Sequence, residues 1–161
     1  MPLGTLWSNH IAQSSLVAYI HYLSSMLCFG ALIFERVTLK VEIERQKAIS
    51  MVIADLIYGI AGIALLVTGI LRVRYFGQGG DFYTHNPIFW IKVVMFIFVG
   101  LLSLYPTATY LFWAIPLSKG NLPQVSSKLV SRLQLFINIE LIGFSIIPLF
   151  ATLMSRGIGL N

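Results

Sequence analysis

Four long apolar stretches, separated by short polar segments, dominate the pattern of the chain. They cover about residues 12–34, 51–72, 88–113 and 133–154. An α-helix needs about 20 mostly apolar residues to cross the hydrocarbon core of a bilayer, and each stretch meets that length. The pattern therefore predicts an all-α protein, with a single four-helix transmembrane domain over residues 1–161.

The composition supports a membrane location and excludes several other classes. The chain has 161 residues, of which 57% are hydrophobic and 11% are charged, whereas soluble domains have about 25% charged residues. The predicted partner is a lipid bilayer, and we expect a multi-pass protein of an inner (cytoplasmic) or thylakoid-type membrane. The net charge of +5 is spread along the chain without a basic cluster, which argues against nucleic-acid binding. A single cysteine excludes an intrachain disulfide.

Lysine and arginine residues are unevenly shared among the polar segments. Residues 35–50 contain four of them and residues 114–132 contain three, whereas residues 72–87 contain two. The positive-inside rule predicts that the first two segments face the cytoplasm, with residues 72–87 and both termini on the other side. We call these two ends of the bundle the basic end and the cap end. Glu35 begins the first basic segment, which is expected to be solvated, either as a loop or as an extension of the helices beyond the membrane.

Ionisable side chains inside apolar stretches are costly in a membrane and are often functional. The candidates are His21, Asp55, Arg72, Lys92 and Glu140. Asp55 and Glu140 are expected to face the interior of the bundle, because a carboxylate in lipid is unfavourable. Arg72 and Lys92 lie near helix ends, from which long side chains can also reach the membrane surface.

Small and polar residues mark the helix faces that pack against other helices. In the first stretch they follow steps of three and four residues, which places them on one face: Ser14, Ala18, His21, Ser25 and Cys28. In the second stretch Asp55, Gly59, Gly62 and Gly69 lie near one face. This pattern predicts close helix packing along both faces, and along the second face its glycines allow a close approach of backbones.

His21 is the candidate with the richest chemistry, because it lies well inside its helix. Imidazole nitrogen binds haem iron, and helix bundles enclose such cofactors. A buried histidine also serves as a proton relay, and a hydrogen bond to a serine or carbonyl of another helix is the structural alternative. His10 and His85 lie in end segments without a helical partner histidine, so a site built from histidines alone is not predicted.

Three segments carry a resemblance to known proteins: AYIHYLSSML, DLIYGIAGIALLVTGILRVRYFGQG and HNPIFWIKVVMFIFVGLLSLYPT. They place a histidine in helix one, a tyrosine in helix two, and a tryptophan and a lysine at the start of helix three. This order resembles a superfamily of four-helix bacterial membrane proteins that includes the copper-resistance D-type proteins and the HemJ-type protoporphyrinogen oxidases. Within that group the chain is most similar to a family known only as a domain of unknown function.

The resemblance implies a haem or related tetrapyrrole as cofactor. HemJ-type enzymes bind haem and have a first-helix histidine and a third-helix lysine, which match His21 and Lys92. They also have a third-helix histidine where this chain has Trp90, and a second-helix arginine where it has Leu56, two residues before the matching Tyr58. These two departures argue against oxidase activity, and whether the chain is an enzyme stays open.

The predicted site follows from these considerations. His21 is the expected metal ligand, and the other expected cofactor-binding residues are Arg72, Arg74, Lys92, Tyr58 and Trp90. The basic side chains would approach the carboxylates of the cofactor, and aromatic faces such as that of Trp90 suit a flat ligand.

Two further functions compete with a haem-binding or redox role. One is a non-enzymatic membrane subunit or assembly factor, acting as a homo-oligomer or within a larger complex, in which the polar residues only hold helices together. The other is a small transporter or copper-handling protein. Against copper, the chain lacks the methionine or cysteine clusters that suit copper(I). The substrate and any electron partner do not follow from the sequence.

Overall fold

The computed structural model describes residues 3–159, with side chains from residue 9 onward. It has four long helices and one short one: α1 (Leu3–Thr38), α2 (Arg45–Leu71), α3 (Gly80–Thr84), α4 (Pro87–Ser118) and α5 (Ser127–Ser155). A π-helical turn, Arg72–Phe76, continues α2. Residues 3–159 contain no strand, which confirms the predicted all-α fold.

Each predicted apolar stretch lies inside one long helix. The segments long and apolar enough to cross a membrane are Asn9–Thr38, Arg45–Phe76, Pro87–Ser118 and Ser127–Ser155. The helices extend past the apolar stretches, and α4 and α5 begin directly after side-chain caps. Asn86 caps α4 by accepting a hydrogen bond from Ile88 N at 2.9 Å, and Ser126 caps α5 by accepting one from Leu129 N at 3.2 Å.

The four long helices form a closed bundle. The helix α1 packs against α2 and α5, and α4 packs against the same two helices, so that α1 and α4 are diagonally opposite among the described residues. Short connections make sequential long helices antiparallel neighbours. The short helix α3 contacts α4 and the π-helical turn, so it lies over the cap end.

Most of the core lies in the half of the bundle nearest the basic end. Its fully buried side chains come from every long helix and include Leu32, Met51, Tyr110, Leu133 and Ile137. The outward faces are apolar and exposed, with Met26 at 70% and Phe112 at 69% of their full accessibility. Such faces are expected of helices that are surrounded by lipid.

The close backbone approach expected at Gly59 and Gly62 is wrong. A Cβ added to either residue would meet nothing within 4 Å, because both lie toward the outside of α2. Close approach occurs instead at Gly143 of α5, where an added Cβ would overlap Cγ2 of Val99 on α4. Gly69 is the glycine of the predicted set that does face a neighbour, since an added Cβ would lie 3.4 Å from Cε1 of His21.

The expected solvated position of Glu35 is also wrong. The helix α1 continues to Thr38, and Glu35 is only 1% exposed. Glu35 follows Cys28 by seven residues and Leu32 by three, which places it on their buried face. The structure therefore adds a carboxyl group to the interior of the bundle.

Candidate functional site

His21 lies on α1 beside Thr68 of α2. Its Nδ1 is 3.0 Å from the Thr68 hydroxyl oxygen, and that hydroxyl donates to the carbonyl oxygen of Ala64 at 2.6 Å. A hydroxyl has a single proton to donate, so Thr68 accepts from His21, and Nδ1 carries the hydrogen. In the neutral ring, Nε2 then has the free lone pair, and this is the form of imidazole that binds metals.

Two cations lie close enough to His21 to act on it electrostatically, namely Arg72 from the π-helical turn and Lys92 from α4. Arg72 donates to the Tyr22 hydroxyl at 3.2 Å and lies 5.0 Å from the centre of that ring. Lys92 Nζ lies 5.4 Å from the centre of the Phe89 ring. Arg72 and His21 thus both contact Tyr22, whose ring centre is 6.1 Å from that of His21, and Lys92 lies on the neighbouring part of α4.

The other predicted site residues are placed differently. Arg74 is exposed, and Trp90 is 51% exposed, with Nε1 donating to the Thr84 carbonyl at 3.0 Å. Tyr58 precedes Thr68 by ten residues on α2, which is about 15 Å along the helix. It packs against Phe144, with ring centres 6.1 Å apart. The structure does not bring these three residues to His21, and their role in binding stays a prediction.

The region around His21 is packed more loosely than the rest of the bundle. Residues 9–23 of α1, 87–98 of α4 and 145–153 of α5 include no buried position, although the same helices are well buried farther toward the basic end. Beyond this region, toward the cap end, Tyr83, Asn86 and Met154 are buried again. Asn86 Nδ2 also donates to the Ile158 carbonyl at 3.1 Å. His21 therefore lies between a covered end and a dense core, in a layer open toward the membrane.

A surface groove lies away from His21. It has a volume of about 350 Å³, runs between α1 and α2 along residues 26–34 and 50–57, and has an almost entirely apolar lining. His21 is not among the residues that line it. Any ligand of His21 would therefore enter the loosely packed layer between the helices and not this groove.

A second polar group lies in the half near the basic end. Asp55 and Glu140 are 6% and 0% exposed, so the prediction that both face the interior is confirmed. Thr107 of α4 donates to Asp55 Oδ1 at 2.8 Å. Across residues 3–159, no three histidine, cysteine, aspartate or glutamate side chains are placed to hold a metal ion together.

Thr68 and Tyr110 are two polar residues that the sequence reasoning missed. Thr68 follows Tyr58, Ala61 and Leu65 at helical spacing along the buried face of α2, and this spacing was a readable signal that it points inward. Tyr110 is 0% exposed and next to a buried aromatic residue, Trp113. In a long apolar helix, the sequence around Tyr110 does not distinguish a buried tyrosine from one that faces lipid.

Comparison with known proteins gives one match. A family model described as a predicted membrane protein (DUF2214) matches residues 13–159. Neither the curated proteins nor the solved structures compared with the chain include a match. The family match covers all four membrane-spanning helices. The chain therefore belongs to the DUF2214 family of predicted membrane proteins.

Proposed function

We propose that the chain is an integral membrane protein that binds haem or a related tetrapyrrole through Nε2 of His21. The observation that carries this proposal is the pairing of His21 with Thr68, which holds the ring and leaves Nε2 without a proton. Histidines that bind metals almost always donate their other ring N–H to such a partner, which fixes the tautomer and the orientation of the ring.

The charges around His21 suit the acidic edge of a tetrapyrrole. Arg72 and Lys92 face no carboxylate, because the ion pair found among residues 9–159 is that between Glu44 and Lys47 at the basic end. Cations within a membrane region are better tolerated when an anion is paired with them. In the proposal, Arg72 and Lys92 bind the carboxylates of the cofactor while His21 binds its metal.

The loosely packed layer suits a flat apolar ligand. The histidine is held from one side by Gly69 and Thr68, and the surrounding positions of α1, α4 and α5 are only partly buried. Bound haem would supply one-electron redox chemistry at its iron. The resemblance to HemJ-type proteins in His21 and Lys92 agrees with this proposal. The residues that replace the second histidine and the arginine of those enzymes, Trp90 and Leu56, are exposed by 51% and 61%.

The test compares three purified proteins during titration with haemin: wild type, His21→Ala and His85→Ala. His85 is exposed, and its Nδ1 is 2.9 Å from the Asp81 carbonyl oxygen, so it serves as the histidine control. We expect a Soret band of bound haem in the wild type and in His85→Ala, and none in His21→Ala. An equal band in His21→Ala, or no binding by wild type, would overturn the proposal. A wild type without haem that copurifies with a larger membrane complex would favour the subunit alternative.

A further variant separates the metal ligand from the carboxylate partners. Lys92→Ala should weaken the retention of haem during washing and leave the position of the Soret band unchanged, because its proposed partner is a carboxylate and not the metal. A shifted band would show that Lys92 acts on the iron. Retention equal to that of wild type would show that Lys92 has no part in binding.

A further inference from the structure

A set of buried polar residues near the basic end contains one residue from each long helix. It contains Glu35 of α1, Asp55 of α2, Tyr110 of α4 and Glu140 of α5, which are 1%, 6%, 0% and 0% exposed. Glu35 lies beside Tyr110, and Asp55 is close enough to both glutamates to act on them electrostatically. We call these four residues the acidic cluster.

Several atoms of the acidic cluster have no hydrogen-bond partner. They are the Tyr110 hydroxyl, Glu35 Oε1 and both carboxylate oxygens of Glu140. A buried polar group without a partner is destabilising, so an arrangement with four such atoms needs a physical reason. The Tyr110 hydroxyl is informative here, because it is a neutral, fully buried group beside Glu35 that makes no hydrogen bond of good geometry.

Within residues 9–159, none of the three carboxyl groups forms an ion pair with a basic side chain. Two arginines toward the basic end are hydrogen-bonded to other groups: Arg36 Nε donates to Asn138 Oδ1 at 2.7 Å, and Arg45 donates to the Leu117 carbonyl at 3.2 Å. Three ionised carboxylates would leave uncompensated charge in an apolar interior, which is very costly. A bound cation therefore has to supply the balance.

Protons fit the cluster better than a metal ion does. No three acidic side chains within residues 9–159 lie close enough together to coordinate one ion, whereas each carboxyl can take up a proton by itself. In that step an O–H bond forms on a carboxylate oxygen as a hydronium ion gives up its proton and becomes water. The hydronium ion is thus the only co-reactant that the step requires, and water is its only by-product.

We propose that the acidic cluster is an exchangeable proton-binding site that loads from the basic end. Glu35 is the entry residue, because it precedes the end of α1 at Thr38 by three residues, or about 4–5 Å. Toward the cap end the cluster is closed by apolar contacts, among them Val99 and Phe144, which are 2% and 5% exposed. The site is separate from His21 and does not depend on haem.

Polar side chains of the neighbouring helices also lie around the acidic cluster. Tyr58 of α2 lies near Glu140, and Ser103 of α4 and Cys28 of α1 lie close to Tyr58. Thr107 of α4 donates to Asp55. Beyond its own three carboxyls, these neighbours are hydroxyl and thiol groups without formal charge at neutral pH. A pH response of the cluster therefore arises from the acids themselves.

Infrared spectroscopy of the reconstituted full-length protein tests the proposal, since a protonated carboxyl has its own C=O stretching band. We expect wild type at neutral pH to show this band, to lose it reversibly at alkaline pH, and to shift it in heavy water. Glu35→Gln, Asp55→Asn and Glu140→Gln should each remove part of the band. Glu42→Gln, which changes an exposed acid outside the cluster, should leave it intact.

Several outcomes would overturn the proposal. They are the absence of the band from wild type at neutral pH, a band that neither pH nor heavy water changes, and a band unaffected by all three cluster variants. Loss of the band on adding sodium or magnesium salts at constant pH would assign the cluster to a metal cation instead. The measurements on wild type alone decide the main point, even if a variant fails to fold.

Discussion

A substitution at Gly143 tests the packing of α4 against α5. Gly143 is buried on α5, and an added Cβ would overlap Cγ2 of Val99, which is only 2% exposed. Carbon atoms prefer separations of about 3.5–4.0 Å, so Gly143→Ala forces the two helices apart or moves Val99 from its rotamer. Overpacking of this kind costs about 1–3 kcal/mol of unfolding free energy.

The matched control is Gly100→Ala. Gly100 directly follows Val99 in the same helix pair, and an added Cβ there would meet nothing within 4 Å. Replacing glycine by alanine inside a helix stabilises it by about 1 kcal/mol, and this gain is common to both variants. The difference between Gly143→Ala and Gly100→Ala therefore isolates the overpacking cost, which we expect to be about 1–3 kcal/mol.

The assay is reversible unfolding in mixed micelles, with helicity measured by circular dichroism. The double variant Gly143→Ala, Val99→Ala gives a second check, because removing the Val99 methyl groups should relieve the overlap. The two single changes should then be non-additive in the stabilising direction. Equal unfolding free energies for Gly143→Ala and Gly100→Ala would refute the close approach of α4 and α5 at this point.

Three further predictions concern other parts of the fold. Thr107→Val should lower the unfolding free energy by about 1–3 kcal/mol, because Asp55 would lose its hydrogen-bond donor; unchanged unfolding would contradict that bond. Asn86→Ala should lower the unfolding free energy by about 1–2 kcal/mol, because α4 loses its cap. It should also speed hydrogen exchange around Ile158, whose carbonyl accepts from Asn86; exchange at the wild-type rate would contradict that hydrogen bond. In right-side-out vesicles, a cysteine at Gln78 should be labelled from outside and one at Lys119 only after permeabilisation; the reverse pattern would invert the predicted orientation.

Much of the architecture could be predicted from the sequence, because a helix needs about 20 apolar residues to cross a bilayer and four stretches reach that length. The inward direction of Asp55 and Glu140 followed from the cost of a charge in lipid. Glu35 was missed because it stands next to Arg36 in a charged segment, and only the three- and four-residue spacing from Cys28 showed that its helix continues. Local composition and helix periodicity disagreed there, and periodicity was the better guide.

The site was less predictable, because it depends on how each helix is rotated about its axis and on how neighbouring helices are shifted along their axes. The sequence singled out His21 and Lys92 but contains no signal that pairs His21 with Thr68, since the pairing depends on the register between α1 and α2. The same limit explains the glycines. Small residues at Gly59 and Gly62 suggested close packing, yet the rotation of α2 points them outward and leaves the contact to Gly143.

The most direct measurement of the central claim is the histidine side-chain ¹⁵N spectrum of the full-length protein, recorded before and after haemin is added. His21→Ala assigns the His21 signals, and Thr68→Val tests the origin of the tautomer. We predict a protonated Nδ1 and an unprotonated Nε2 at His21 in the wild type, with the Nε2 signal lost on addition of haemin. A protonated Nε2, or a His21 signal unchanged by haemin, would contradict the account.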